Sequence, residues 1–248
     1  PTAIVFLRSA PTAKQGFTKW RQVPIQKRAQ FLVKLAGLLK THTASLAELI
    51  TREMGKPIRQ STDEISATAG DLLYNAKAGP KWLTQEVLAK KKGLNSALVY
   101  DPVGVVAAIK PWNYPINTPM LAIAPALVAG NSIIFKPAEH ANLVGQALTK
   151  LIWQAGIPKD VFQIIFGGGR IGAMLLDQPI DMVTFTGSSS VGKEIAVKCS
   201  AKLIKFSLEM GGSTPAIVLR AADLELAAQT IVRSRFENCG QVCNAIKR

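Results

Sequence analysis

Cysteine and histidine are scarce in this sequence, with three and two residues respectively among 248. An odd cysteine count argues against a disulfide framework. Cys199, Cys239 and Cys243 are therefore expected to be free thiols in a reducing, cytoplasmic setting. His42 and His140 have no partner at metal-ligand spacing, and Cys239-x-x-x-Cys243 has no second half, so no metal site is expected. A Cys-His protease is not expected on similar grounds, since no histidine follows Cys243 among these residues. Long apolar runs are also missing. The stretch PMLAIAPALVAG (119–130) carries two prolines and is too short to span a bilayer. The opening residues do not read as a charged-then-apolar leader, and no membrane partner is expected.

Acidic residues are few as well: 16 Asp and Glu stand against 30 Lys and Arg, for a net charge of +14. Such a balance first suggests a nucleic-acid partner. Its distribution argues otherwise. Residues 1–100 hold 16 basic and 6 acidic side chains, whereas 101–248 hold 14 and 10. The excess thus sits away from the chemistry-bearing segments. Its one run, Lys90-Lys91-Lys92, lacks interleaved aromatics on which bases stack. A solvated basic face is expected, without nucleic acid as partner.

The first third carries a helical stripe. Apolar residues recur at Phe31, Leu32, Leu35, Leu38 and Leu39, then at Leu46, Leu49 and Ile50. Gly55 and Pro57 end that stripe. Ser61-Thr-Asp-Glu64 has the spacing of a capping box and predicts a helix start there. Beyond about residue 100 the pattern turns to short β-branched runs at Val103–Ile109, Ser132–Phe135, Val161–Phe166, Met182–Phe185 and Leu203–Leu208. Helical stretches separate them, at the spacing of βαβ units. The expected fold is α/β: a doubly wound, mainly parallel, Rossmann-like sheet with N-terminal helices. Ligands of such sheets bind beyond the carboxyl ends of the strands. Thr84–Pro102 falls outside this scheme and reads as a protruding hairpin.

Several strand ends carry candidate chemistry. Gly167-Gly168-Gly169-Arg170-Ile171-Gly172 matches GxGxxG, but it follows the third strand of the series, and Asp177 and Asp181 lie too close to serve as the ribose acid about twenty residues on. It reads equally well as a glycine turn into a helix. Lys136 and Glu139 are placed either to hold the hydroxyls of a ribose or to form an ordinary ion pair. Phe185-Thr186-Gly187-Ser188, with Gly192, is a glycine turn opening a helix. Its free N–H groups suit a phosphate, although a plain serine cap needs the same residues. Glu209, leaving an apolar strand before two glycines, is either a surface residue or a carboxylate for acid–base work. Cys243 follows Gly240-Gln241 among polar neighbours, which gives the access a nucleophile needs, although most free cysteines are small buried hydrophobes.

Taken in order, Pro111-Trp112-Asn113-Tyr114-Pro115, Lys136-Pro137-Ala138-Glu139, Phe185-Thr186-Gly187-Ser188 with Gly192, Leu208-Glu209-Met210-Gly211-Gly212 and Gly240-Gln241-Val242-Cys243 resemble the aldehyde dehydrogenase superfamily. The likeness extends to Gln15-Gly16-Phe17-x-x-Trp20 and Glu53-Met54-Gly55-Lys56-Pro57, and it is strongest toward the bacterial succinate-semialdehyde branch. Lactaldehyde and glycolaldehyde dehydrogenases come next. The resemblance implies Cys243 as nucleophile, Asn113 as oxyanion donor and Glu209 as general base. It further implies that Trp112, Lys136, Glu139, Gly187, Ser188 and Gly192 bind NAD, with NADP also possible, and that a small aldehyde is the substrate. By the same analogy residues 1–83 and 103–211 form the cofactor domain. Residues 84–102 form a hairpin for assembly of a homo-dimer or tetramer, and 212–248 open a catalytic domain. Two departures stand out: Lys110 replaces an apolar residue, and Met210 a leucine. Members of the family are longer, so the chain is expected to be part of a larger protein, unable to turn over substrate alone.

Overall fold

The computed structural model of the chain describes residues 2–91 and 93–248. Four helices come first: α1 (Thr2–Trp20), α2 (Ile25–Thr41), α3 (Thr43–Met54) and α4 (Ile58–Trp82). The apolar stripe read from the sequence thus spans two helices, divided at His42. Gly55 ends α3 in the left-handed conformation (φ 77°), where its lack of a Cβ removes the steric cost. Leu32, Leu35, Leu39, Ile50, Ile65 and Leu72 from α2, α3 and α4 are completely buried. Each such side chain contributes about 1.5–3 kcal/mol. The exposed Arg52–Glu48 pair on α3 contributes less than about 1 kcal/mol, so apolar packing rather than surface charge holds these helices together.

The expected capping box is not one. Pro57 precedes the helix, α4 starts at Ile58, and both Ser61 and Glu64 are buried inside it. The Ser61 hydroxyl lies 3.1 Å from that of Thr51, and Glu64 has partners outside its own helix. The spacing was right, but α4 had already begun.

The 84–102 segment contains an antiparallel hairpin, β1 (Glu86–Lys91) with β2 (Leu94–Leu98), which pairs with no other strand among the described residues. The side chains of the Lys90–Lys92 run lie outside the described residues. The main sheet follows with β3 (Val105–Ile109), β4 (Ser132–Lys136), β5 (Phe162–Ile164), β6 (Met182–Gly187) and β7 (Lys205–Met210). All its pairings are parallel, in the order β5-β4-β3-β6-β7. The chain therefore winds outward from β3 in one direction and then in the other, with a switch point between β3 and β6. The last strand lies two residues later than the sequence indicated, after Leu203, an exposed residue with φ 57°.

The two faces of β3 illustrate the layering. Val106 and Ala108 join the core built with α2–α4, α5 (Asn117–Ala129) and α6 (Asn142–Gln154). Val105 and Ala107 face the other core, with Ala10 and Ala13 of α1, Leu175 of α7 (Gly169–Leu175), and Ile195 and Cys199 of α8 (Ser189–Ala201). Burial on both sides explains why this strand is a continuous apolar run rather than an alternating one. Beyond β7, α9 (Leu224–Phe236) has no buried residue, and Ile217, Leu219 and Leu224 are exposed.

Candidate active site

Four neighbouring strands deliver the candidate residues to one edge of the sheet. β3 ends at Lys110 and Trp112, β4 at Lys136 and Glu139, β6 at Gly187 and Ser188, and β7 carries Glu209 as its penultimate residue. The shared direction of a parallel sheet makes this convergence unavoidable.

A cavity of about 610 Å³ opens there, lined by Trp112, Lys136, Glu139, Gly187 and Ser188 together. Lys136 is buried and donates to the Pro137 carbonyl at 3.0 Å, with no ion pair to Glu139 among the described residues. Burial lowers its pKa, and the charge of Glu139 partly offsets that effect. Ser188 is the N-cap of α8, with its hydroxyl accepting from Val191 N. A Cβ on Gly187 would lie 2.5 Å from the Phe185 ring, so glycine lets the turn close over that ring. Gly192 does not line the cavity. It is buried in the first half of α8, where a Cβ would meet the Met210 sulfur at 2.6 Å. Gly169 and Arg170 do line the cavity: Gly167-Gly168 is a turn, with φ 144° at Gly167, from which α7 begins. A carboxylate and an ammonium suit ribose hydroxyls, and the start of a thirteen-residue helix suits phosphate. The donor set fits a dinucleotide.

An adjoining cavity of about 400 Å³ is lined by Asn113, Glu209 and Cys243, and also by Trp112, Gly187 and Ser188 of the first. Glu209 and Cys243 are exposed, and Asn113 is half-buried. Asn113 donates from Nδ2 to the Gln241 carbonyl at 2.8 Å, while Asn238 donates to the Asn113 carbonyl at the same distance. These two bonds tie the loop after β3 to the cysteine loop. The strained backbone of that loop, with Asn238 and Cys239 at φ 49° and 55°, brings Gln241 back toward Asn113. Lys247 adds a further tie, donating to the carbonyl oxygens of Cys243 and Gly212.

Sequence reading missed the support beneath Asn113. Lys56 and Glu64 form a fully buried ion pair. Glu64 Oε1 accepts from Ile116 N and Asn117 N at 2.9 and 3.0 Å, where α5 begins, and the Lys56 ammonium sits 3.6 Å from the Tyr114 ring centroid. Tyr114 donates to Glu237, and burial, followed by that bond, raises its pKa. Gln60 accepts from Asn238 N at 2.7 Å. Lys56 stood inside the Glu53–Pro57 motif, yet nothing local showed that its partner lay eight residues on.

The sheet order and the convergence of strand ends define an α/β protein of Rossmann-like architecture with a thiol-bearing cleft. The chain belongs to the aldehyde dehydrogenase family, whose profile matches residues 7–248. It is 38% identical over 237 residues to a betaine aldehyde dehydrogenase of Vibrio vulnificus, covering 94% of this chain and 48% of that protein. With the succinate semialdehyde dehydrogenase [NAD(P)+] Sad of Escherichia coli it shares 37% identity, covering 95% and 51%. A solved lactaldehyde dehydrogenase superposes with a TM-score of 0.94 at 33% identity, over 100% of this chain and 52% of that one. The chain spans about half the length of the curated relatives it matches. Among the described residues, no helix is long and apolar enough to cross a membrane.

Proposed function

We propose that this chain supplies the nucleotide-binding region and the nucleophile of an enzyme that oxidises a small aldehyde to its carboxylic acid with NAD, and with NADP as an alternative. The observation that carries this reading is the common cavity of Asn113, Glu209 and Cys243, which shares a wall with the cavity of Lys136 and Glu139. Cys243 attacks the carbonyl carbon as thiolate and forms a thiohemiacetal. Asn113 Nδ2 has two N–H groups; one binds Gln241, and the other donates to the oxyanion together with the Cys243 backbone N–H. The dinucleotide, when bound, supplies the hydride acceptor. Lys136 and Glu139 hold its ribose, Ser188 and the Gly187 turn meet its phosphates, and Trp112 lines the passage between the cavities. Gly192 acts indirectly, by letting Met210 pack against α8. Glu209 takes a proton from the water that hydrolyses the thioester on Cys243.

Succinic semialdehyde is the proposed substrate, supported by the relative Sad, with lactaldehyde or glycolaldehyde as alternatives. Residues 1–83 and 103–211 form the nucleotide domain, and 212–248 open the catalytic domain. The 84–102 hairpin serves assembly into a dimer or tetramer in the cytoplasm. Aldehyde-dependent reduction of NAD by the protein, measured with this panel, tests the reading. Turnover that survives Cys243→Ala would overturn it. The exposure of Cys243 and of most of β7 favours a second reading for the chain alone, nucleotide binding without turnover. In that case titration shows saturable NAD binding, while no aldehyde is consumed.

A further inference from the structure

Lys110 is unused in the scheme above. Its ammonium group lies 2.8 Å from Thr184 Oγ1 and 3.2 Å from Thr186 Oγ1, and the residue is 4% exposed. No carboxylate lies within ion-pair distance of it among the described residues. Both acceptors are hydroxyls. A neutral amine satisfies them with its two N–H groups and keeps a free lone pair, whereas an ammonium has a third N–H left over.

The same side chain lines the nucleotide cavity and also a cavity of about 680 Å³ that contains Glu209 and Cys243. Asp101 is the other charged residue lining the Cys243 side, while Lys136, Glu139 and Glu194 are among those on the nucleotide side. Burial drives the Lys110 pKa from 10.5 down to about 8, against the opposing charge of Glu209. At neutral pH its free-amine fraction is then roughly 300 times that of an ordinary lysine.

We propose that Lys110 is a second carbonyl-capturing group, whose amine condenses with an aldehyde in the Cys243 cavity to form an imine. The nitrogen lone pair attacks the carbonyl carbon, the C–N bond forms, and the carbonyl oxygen leaves as water. The step is reversible by hydrolysis and changes no oxidation state. Aldehyde then divides between thiohemiacetal at Cys243 and imine at Lys110, and the imine occupies the cavity without being oxidised. This rests on the reading that aldehydes reach Cys243, which lines both this cavity and the smaller one that it shares with Asn113.

The test treats the protein with propionaldehyde and sodium cyanoborohydride at neutral pH, followed by peptide mass mapping. Cyanoborohydride delivers hydride to the imine carbon and solvent protonates the nitrogen, leaving N-propyl-lysine. Lys110 is expected to be labelled at least tenfold faster than the mean of the exposed lysines, with the peptide unlabelled in Lys110→Arg. Entry is checked in parallel by protection of Cys243 from iodoacetamide by propionaldehyde. Protection of Cys243 with Lys110 labelled no faster than surface lysines overturns the imine proposal alone. Absence of both protection and Lys110 label overturns it together with the reading of the cavity. Selective label without protection supports Lys110 and counts against Cys243 as the aldehyde's target.

Discussion

Glu64 accepts hydrogen bonds from the backbone N–H groups of Ile116 and Asn117 while paired with Lys56, so one buried ion pair fixes the turn that follows Asn113. A charge taken out of water is tolerated only with such full satisfaction. Here Glu64 has the Lys56 ammonium and two backbone donors, and Lys56 also has the face of Tyr114.

Removing one partner should therefore be costly. Lys56→Met leaves an uncompensated carboxylate and is expected to lower stability by about 3–5 kcal/mol. Urea unfolding of the two proteins measures this, and a loss below about 1 kcal/mol would show that the pair is not essential to the fold.

Lys110 gives a pH dependence with a definite sign. Its folded pKa of about 8 lies below its ordinary 10.5, so between those values the unfolded chain binds more protons than the folded one. Stability relative to Lys110→Met then rises with pH through that window, by up to about 3 kcal/mol, and is flat below pH 8. Denaturant melts of both proteins across this range test it; a falling difference would contradict it.

Gly187 cannot take a side chain without moving Phe185, which is buried. Gly187→Ala is expected to lose about 1–3 kcal/mol of stability and to weaken NAD binding, because the turn before α8 must open. Titration of NAD against intrinsic tryptophan fluorescence, with Trp112 in the cavity wall, reads the second effect.

Glu139 lines the cavity proposed to hold the nucleotide, where its negative charge is expected to repel a 2′-phosphate. Glu139→Ser is expected to move the NAD to NADP affinity ratio toward NADP by about tenfold, or 1.4 kcal/mol. An unchanged ratio would place the ribose elsewhere.

The legibility of this protein in its sequence follows the range of its interactions. Strands β3 and β4 are visible as apolar runs because both their faces are buried, whereas β5 carries Gln163 and is only part-buried. The sheet then brings Lys136, Gly187 and Glu209 to one edge, since parallel strands all end on the same side. The sequence did not reveal the division of α2 from α3 at His42, or that Ser61 and Glu64 sit inside a helix. The burial of Glu64 depends on distant partners, the backbone N–H groups of Ile116 and Asn117. Gly192 likewise read as a cofactor residue, although it faces Met210, because a helix start that binds phosphate and one that packs closely on a strand require the same small residue.

The most direct test of Cys243 as nucleophile and Glu209 as base is intact and peptide mass analysis of the protein after mixing with succinic semialdehyde and NAD. In Glu209→Gln the succinyl thioester is expected to accumulate on the Cys243 peptide, while the unsubstituted protein hydrolyses it. Aldehyde oxidation that proceeds with no acyl group on Cys243 in that variant would contradict the account.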